Sequence, residues 1–457
     1  MIQLARAIAL MFLRLSSFKQ PERKGYHEGK FQSWYFLLPY SSEPDPAKSF
    51  TFPNGLQVIH QYLPGAPVVV TDVWVKAGAI AEPTEWEGMA HFLEHMVFKG
   101  SSQVRPGEFD QIVETCGGVS NAATSYDYAH FYLSTAGDRL PETLPYLSDI
   151  LLNATIPDEE FIRERQVVLE EISISHDDPD WLTFQELNRL LYQSHPYGRS
   201  ILGEADQLCG YTPNQMRCFH RTHYQPQNLT VGIVGNIPAD QALNLVQETF
   251  SHFQVPSECP PFAMEAEPPL IDIRRSELQV PDVQMARLVM GWLATGVEQF
   301  TDAVGLDLLS VILAGTASAW LVQELREKRQ WVMDISSGFS LQRDSSLFTI
   351  QAWLDAEYLG DVELIIGDRL ADLQTQYISE SEVIRAQRVL CNDHIFSTET
   401  ASQLAGLYGY YQTLGNLEYA YLYPQIVASF TPQDLQRLAR QYLSPERYGI
   451  VTLVGEY

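Results

Sequence analysis

The sequence predicts an α+β protein of two similar domains, each a mixed β-sheet packed with helices. Three observations carry that prediction. Apolar strand-like runs alternate with longer helical ones along most of the 457 residues, the pattern of sheet and helix layers. A stretch with five prolines and little periodicity, "VPSECPPFAMEAEPPL" (255–270), divides the chain, as linkers do. Beyond it the order repeats: "MARLVMGWLATG" parallels "VVVTDVWVKAG", and "YLSPERYGIVTLVGEY" parallels "HYQPQNLTVGIVGNI". The expected organisation is an N-terminal extension (1–45), a first domain (46–254), the linker (255–270) and a second domain (271–457), the domains spanning about 200 residues each.

Taken in order, "FTFPNGLQVIHQYL" places an Asn54-Gly55 turn between two apolar segments, a hairpin signal. "APVVVTDVWVKAG" reads as a buried strand running to Gly78, and a helix holding "GMAHFLEHMVFKG" follows. "FDQIVETCGG" is helical and stopped by Gly117 and Gly118, "HFYLSTAG" is a strand, and a long helix covers about Asp158 to Ser175. "NLTVGIVGNI" is a strand leading into the helical "PADQALNLVQETF".

Composition narrows the function. Hydrophobic residues are 45% and charged residues 19%, a globular balance. The formal net charge of -27, from 57 acidic and 30 basic residues, repels phosphate backbones and argues against nucleic acid. It favours basic ligands by long-range steering, and simple solubility accounts for it equally well. Five cysteines (Cys116, Cys209, Cys218, Cys259, Cys391) with no CxxC pair argue against a disulfide framework and a thiolate zinc site, so reduced cysteines are expected.

At the N-terminus no acid precedes Glu22, and the apolar run Ala7 to Leu13 is flanked by Arg6 and Arg14. This is compatible with a minimal secretory segment, an organellar transit peptide or a poorly ordered tail. Cytoplasmic residence is the expectation, with organellar or periplasmic residence as alternatives if the extension is a targeting segment. No stretch approaches the ~20 apolar residues needed to span a bilayer, so no membrane span is expected.

The chemistry concentrates in "AHFLEHMVF". On a helix, His91 and His95 lie four apart on one face, and Glu94 is slightly offset from the line joining them. Two imidazoles so spaced suit zinc. A carboxylate beside them can take a proton from a water that the metal acidifies to a pKa of about 7. This is the H-x-x-E-H pattern, the inverse of H-E-x-x-H. Chance produces it on the order of once in a hundred such chains, which favours a metal, with two satisfied core histidines as the alternative.

A catalytic zinc commonly takes three protein ligands, and "FIRERQVVLEEISIS" offers Glu164, Glu170 and Glu171. Glu164 and Glu171 are two turns apart on one face, and Glu170 is rotated away by about 100°. Glu171 can reach the metal, with Glu164 behind it supporting a ligating histidine. Read alone, the segment is a solvated charged helix. "GGVSNAATS", read alone, is a Gly/Asn/Ser-rich turn leading to a strand.

"HFLEHMVFKG", followed 76 residues after His95 by Glu171 within "ERQVVLEE", resembles the pitrilysin and insulysin clan of zinc peptidases. The likeness is closer to the branch of mitochondrial processing peptidase and its short bacterial homologues. It covers about Phe50 to the C-terminus and includes "NGLQVI", "WVKAGAIAE", "NAATSYDYAHFY", "HPYGRSILG", "QELREKR" and "PQNLTVGIVGNI". The resemblance implies one Zn2+ per chain on His91, His95 and Glu171, Glu94 as general base, and Glu164 behind a ligating histidine. It implies that Asn121 and Ala122 lie at an edge strand where a peptide or unfolded protein segment adds in extended form. It also implies a zinc metalloendopeptidase whose two domains pair with a second chain to enclose a chamber. Where active members or their partners resemble "REKRGLAY", this chain reads "REKRQWVMDI": Arg329 remains, Gln330 and Trp331 replace Gly-Leu, and Met333 stands at the tyrosine. The expectation is the zinc-bearing half of a heterodimer whose homologous partner supplies an Arg/Tyr pair, with a homodimer as the other arrangement. The alternative function is a non-catalytic structural or regulatory subunit on the same fold.

Overall fold

A computed structural model describes residues 46–260 and 264–456. The N-terminal extension and its targeting readings lie outside the described residues, as do 261–263 of the linker.

The first half runs β1 (Lys48–Thr51), β2 (Gln57–Tyr62), β3 (Val69–Val75), α1 (Met89–Val97), α2 (Glu108–Thr115), β4 (Val119–Thr124), β5 (Ala129–Thr135), α3 (Leu140–Leu152), α4 (Asp158–His176), α5 (Pro179–Leu191), α6 (Ala205–Gly210), α7 (Pro213–His223), β6 (Leu229–Gly235) and α8 (Ala239–Thr249). The second runs β7 (Arg274–Val280), β8 (Ala286–Thr295), α9 (Phe300–Leu313), β9 (Val332–Ser340), β10 (Ser345–Leu354), α10 (Leu359–Thr375), α11 (Glu380–Phe396), α12 (Ala401–Leu414), α13 (Tyr419–Ser429), α14 (Pro432–Tyr442) and β11 (Gly449–Gly455). No helix or strand occupies the described residues of 255–270.

The two sheets have the same topology. The first is ordered β1-β2-β6-β3-β5-β4 and the second β7-β11-β8-β10-β9. Omitting β1, each begins with a parallel pair, β2 with β6 and β7 with β11, and continues through antiparallel partners. The Val-rich β3 and the apolar β6 are buried along their whole lengths, as strands covered on both faces must be. Short polar strands fall at the rim: β4, "VSNAAT", is the open edge of the first sheet. The stretch read alone as a turn is therefore strand at 119–124, formed by pairing with β5 rather than by propensity.

The boundary read from the sequence is crossed in both directions. Helix α5, from the first half, packs on β7, β8 and β11 of the second sheet, and α12, from the second half, packs on β3 and β6 of the first. Close approach makes the exchange specific. A Cβ on Gly291 or Gly449 would lie 2.8 Å from the Leu191 side chain on α5. A Cβ on Gly409 of α12 would fall 2.0 Å from Trp74 Nε1 on β3. Each half completes the other's core, so separation would expose Leu187, Leu191, Trp74 and Tyr408 together, all buried here.

Beneath the first sheet, buried His220 on α7 bonds through Nε2 to the Leu151 carbonyl at 2.7 Å. Burial pushes its pKa from 6.5 down to about 4, opposed by that hydrogen bond. The folded chain therefore keeps His220 neutral where the unfolded chain takes a proton. The resulting stability is complete above pH 6.5 and is lost as the pH falls toward 4. Between pH 7 and 5 the loss from this residue is about 2 kcal/mol. Thermal melts should show a smaller drop between those pH values for His220→Gln, whose amide keeps the bond to Leu151. Equal drops in variant and wild type would remove His220 from the account.

Candidate metal centre

Helix α1 is buried at all nine positions, its ionisable residues included. Its start is fixed by two devices. Gly88, immediately before it, takes φ +83, and a Cβ there would lie 2.5 Å from the Leu202 carbonyl oxygen, so only glycine fits. Glu82, fully buried, accepts the backbone N–H of Gly88 through Oε2 at 3.0 Å and that of Ala90 through Oε1 at 2.7 Å. Both amides are helix-terminal donors that would otherwise be orphaned in the core. The result is a rigid turn that delivers His91 one residue later.

The opposing wall is α4, which packs against α1. The nearest Glu171 oxygen, Oε2, lies 3.7 Å from His91 Nε2 and 3.5 Å from His95 Nε2, and ligand atoms of the three residues lie within 4.8 Å of one another. These separations are longer than good hydrogen bonds. They approach the roughly 3.3 Å between two ligands on a tetrahedral centre with bonds of about 2.0–2.1 Å. His95 Nε2 is buried and has no hydrogen-bond partner. Two imidazole nitrogens and one carboxylate with an orphaned buried donor atom fit a divalent cation of zinc's ligand preference. Among the described residues this is the one such group of three or more side chains.

Glu164 stands behind His95, accepting from Nδ1 at 3.0 Å, and is held in turn by Lys99 Nζ at 2.6 Å. That bond fixes the tautomer that aims Nε2 at Glu171, as carboxylates behind ligating histidines do. Burial holds the His91 imidazole below its usual value. For His95, burial is outweighed by Glu164 and Glu171, which carry it up to about 9. Burial likewise opposes the charge on Glu171, but His95 and His91 keep its pKa below the ordinary range. Glu164 and Glu171 thus favour positive charge at His95, while burial disfavours it at His91.

Glu94 projects beside this group, buried, with Oε2 accepting the Thr124 hydroxyl at 2.6 Å. Thr124 ends β4, and Asn121 and Ala122 lie on the same edge strand, where Asn121 Oδ1 takes the Ala122 N–H at 2.9 Å. Glu170 is exposed on α4, away from the group. The reading of α4 as a solvated charged helix fails for Glu164 and Glu171, whose side chains are 12% and 20% exposed. In the second half, Arg329 pairs with Glu324 at 3.0 Å and lies over the Trp331 ring at 4.6 Å. Gln330 takes φ +58, a conformation that favours glycine, and Met333 is 69% exposed on the edge strand β9.

Sequence reading missed Thr124, Lys99 and Glu82. Thr124 sits inside a motif already singled out. Glu82 closes the quoted "WVKAGAIAE", but nothing in that run marks it off from a surface glutamate.

Two family models match the chain: the insulinase model (peptidase family M16) over residues 57–205, and the peptidase M16 inactive-domain model over residues 210–390. An "Uncharacterized zinc protease" of Mycobacterium tuberculosis is 28% identical over 425 residues, covering 91% of this chain and 96% of that one. The zinc protease PqqE of Helicobacter pylori is 28% identical over 399 residues, 86% of this chain and 90% of that one. The crystal structure of a protease from Helicobacter pylori superposes with a TM-score of 0.84 at 28% identity, covering 90% of this chain and all of that one.

Proposed function

The chain belongs to the insulinase family of peptidases, family M16, and from that premise we propose that it is a zinc-dependent metalloendopeptidase hydrolysing peptides or unfolded protein segments. The observation that carries the proposal is the convergence of His91, His95 and Glu171 with Glu94 beside them. When bound, zinc would supply Lewis-acid polarisation of the scissile carbonyl and acidify a water at the open position. His91, His95 and Glu171 would hold the ion, and Glu164 orients His95. Glu94 takes the proton of the attacking water and delivers it to the leaving amine. Peptide substrate adds along the open edge of β4, near Asn121 and Ala122, through main-chain hydrogen bonds.

A homologous second chain completes the working enzyme. Arg329 is engaged by Glu324 and Trp331, and Met333 occupies the position where the resemblance expects a tyrosine. Among the described residues this motif therefore presents no free Arg/Tyr pair to grip substrate, and the partner supplies it.

The test is cleavage of a quenched fluorescent Lys/Arg-containing peptide by the purified chain, with zinc content measured alongside. Cleavage that chelator abolishes and zinc restores is expected, weak for the chain alone and enhanced by the homologous partner. A chain that retains no zinc after equilibration with it would overturn the proposal. Full activity without a partner would overturn the heterodimer.

A further inference from the structure

We propose that Thr124 is a positioning residue for Glu94: its hydroxyl pins one carboxylate oxygen of the base and leaves the other free to work, so that the substrate-binding strand and the base are set by one rigid element. The proposal rests on the metallopeptidase reading and adds to it a residue that acts through Glu94.

The contact is short and charge-assisted, Thr124 Oγ1 donating to Glu94 Oε2 at 2.6 Å. Among the described residues no other group donates to Glu94. Phe92 and Leu93 beside it on α1 are buried and carry no side-chain donor. A general base must hold one oxygen within hydrogen-bond reach of the proton it abstracts. A carboxylate free to rotate about its last bond spends much of its time elsewhere. With Oε2 occupied, Oε1 is the oxygen left to receive the proton.

The hydroxyl is itself well anchored. Threonine is stiff at χ1, and Thr124 pairs with Ala129 at the closed end of the β4–β5 hairpin, where Ser125 N–H bonds the Tyr128 carbonyl at 2.7 Å. The hairpin tip is fastened further. Asp127 accepts the Tyr197 hydroxyl at 2.6 Å and the Arg343 backbone N–H, from the β9–β10 turn of the second half, at 3.1 Å. The second half thereby steadies the strand on which the base depends.

The experiment compares Thr124→Val, which keeps the shape and removes the donor, with Thr124→Ser, which keeps the donor, in the full-length zinc-loaded chain. Three quantities are read: kcat and KM separately, bound zinc, and a crystal structure of each variant. Thr124→Val should lose about tenfold or more in kcat with KM and zinc unchanged, while Thr124→Ser stays near wild type. In the crystals, Glu94 should leave its position in the valine variant and keep it in the serine variant. A valine variant with wild-type kcat, a serine variant as impaired as valine, or a Glu94 unmoved in the valine crystal would each overturn the assignment. The crystals decide the point even if no peptide is cleaved, so a failure of the metallopeptidase reading is separable from a failure of this one.

Discussion

Glu94→Gln is expected to retain zinc at wild-type stoichiometry and to lose about a thousandfold or more in kcat. A well-placed general base contributes roughly 10²–10⁴-fold. In the proposed mechanism the same carboxylate also serves as the acid for the leaving amine, which puts the loss at the upper end. Glutamine is nearly isosteric, and its amide oxygen can still accept the Thr124 hydroxyl, which lies 2.6 Å from Glu94 Oε2. The ligand atoms belong to His91, His95 and Glu171, so the metal-holding set is untouched. The amide, however, cannot take a proton at any relevant pH. Steady-state kinetics with metal analysis on the same sample checks the claim. Turnover near wild type would remove Glu94 from its role, and loss of zinc would recast it as part of the metal-holding set.

The convergence of His91, His95 and Glu171 is legible in the sequence because helix geometry turns spacing into direction. Four residues bring His91 over His95, and seven bring Glu164 over Glu171. What spacing cannot give is which helix faces which. Helix α4 inverts the usual rule: Ile162, Val167 and Ile174 are 56%, 44% and 48% exposed, while Glu164 and Glu171 turn inward. A composition-based reading therefore takes it for a solvated surface helix. The same blindness hides the exchange of α5 and α12. "PDWLTFQELNRLL" and "ASQLAGLYGYYQTL" each specify a helix with an apolar face, and nothing local names the sheet that covers it. Only the small residues at the contact, Gly409 against Trp74 and Gly291 against Leu191, encode the match, and they do so pairwise across the chain. Strand β4 was under-read for a related reason: its small polar residues have little β-propensity, and the ladder to β5 holds them extended.

Glu82 tests how far the metal centre depends on its frame. Replacing it with alanine should destabilise the chain by about 3 kcal/mol and weaken zinc retention by about tenfold or more. Two backbone donors, Gly88 N–H and Ala90 N–H, would lose their acceptor inside a fully buried site, and each such orphan costs about 1–3 kcal/mol. The weaker zinc follows because Ala90 adjoins His91, and supports behind a metal site typically carry 10–100-fold in affinity. Glu82→Gln separates two states of the cap. Burial pushes the Glu82 carboxyl well up, while the Ala90 and Gly88 amides pull it back toward the charged form. Each of its oxygens meets an N–H donor, a geometry that a carboxylate satisfies and a protonated acid, with one O–H facing a donor, does not. Glutamine, which also presents a donor, should therefore be as damaging as alanine in thermal melts and in zinc competition with a chelator. If Glu82→Gln melts with the wild type and keeps its zinc while Glu82→Ala does neither, the cap is a neutral acid. If both behave as wild type, the position of His91 is set by the tertiary packing of α1 and not by its buried N-terminal carboxylate.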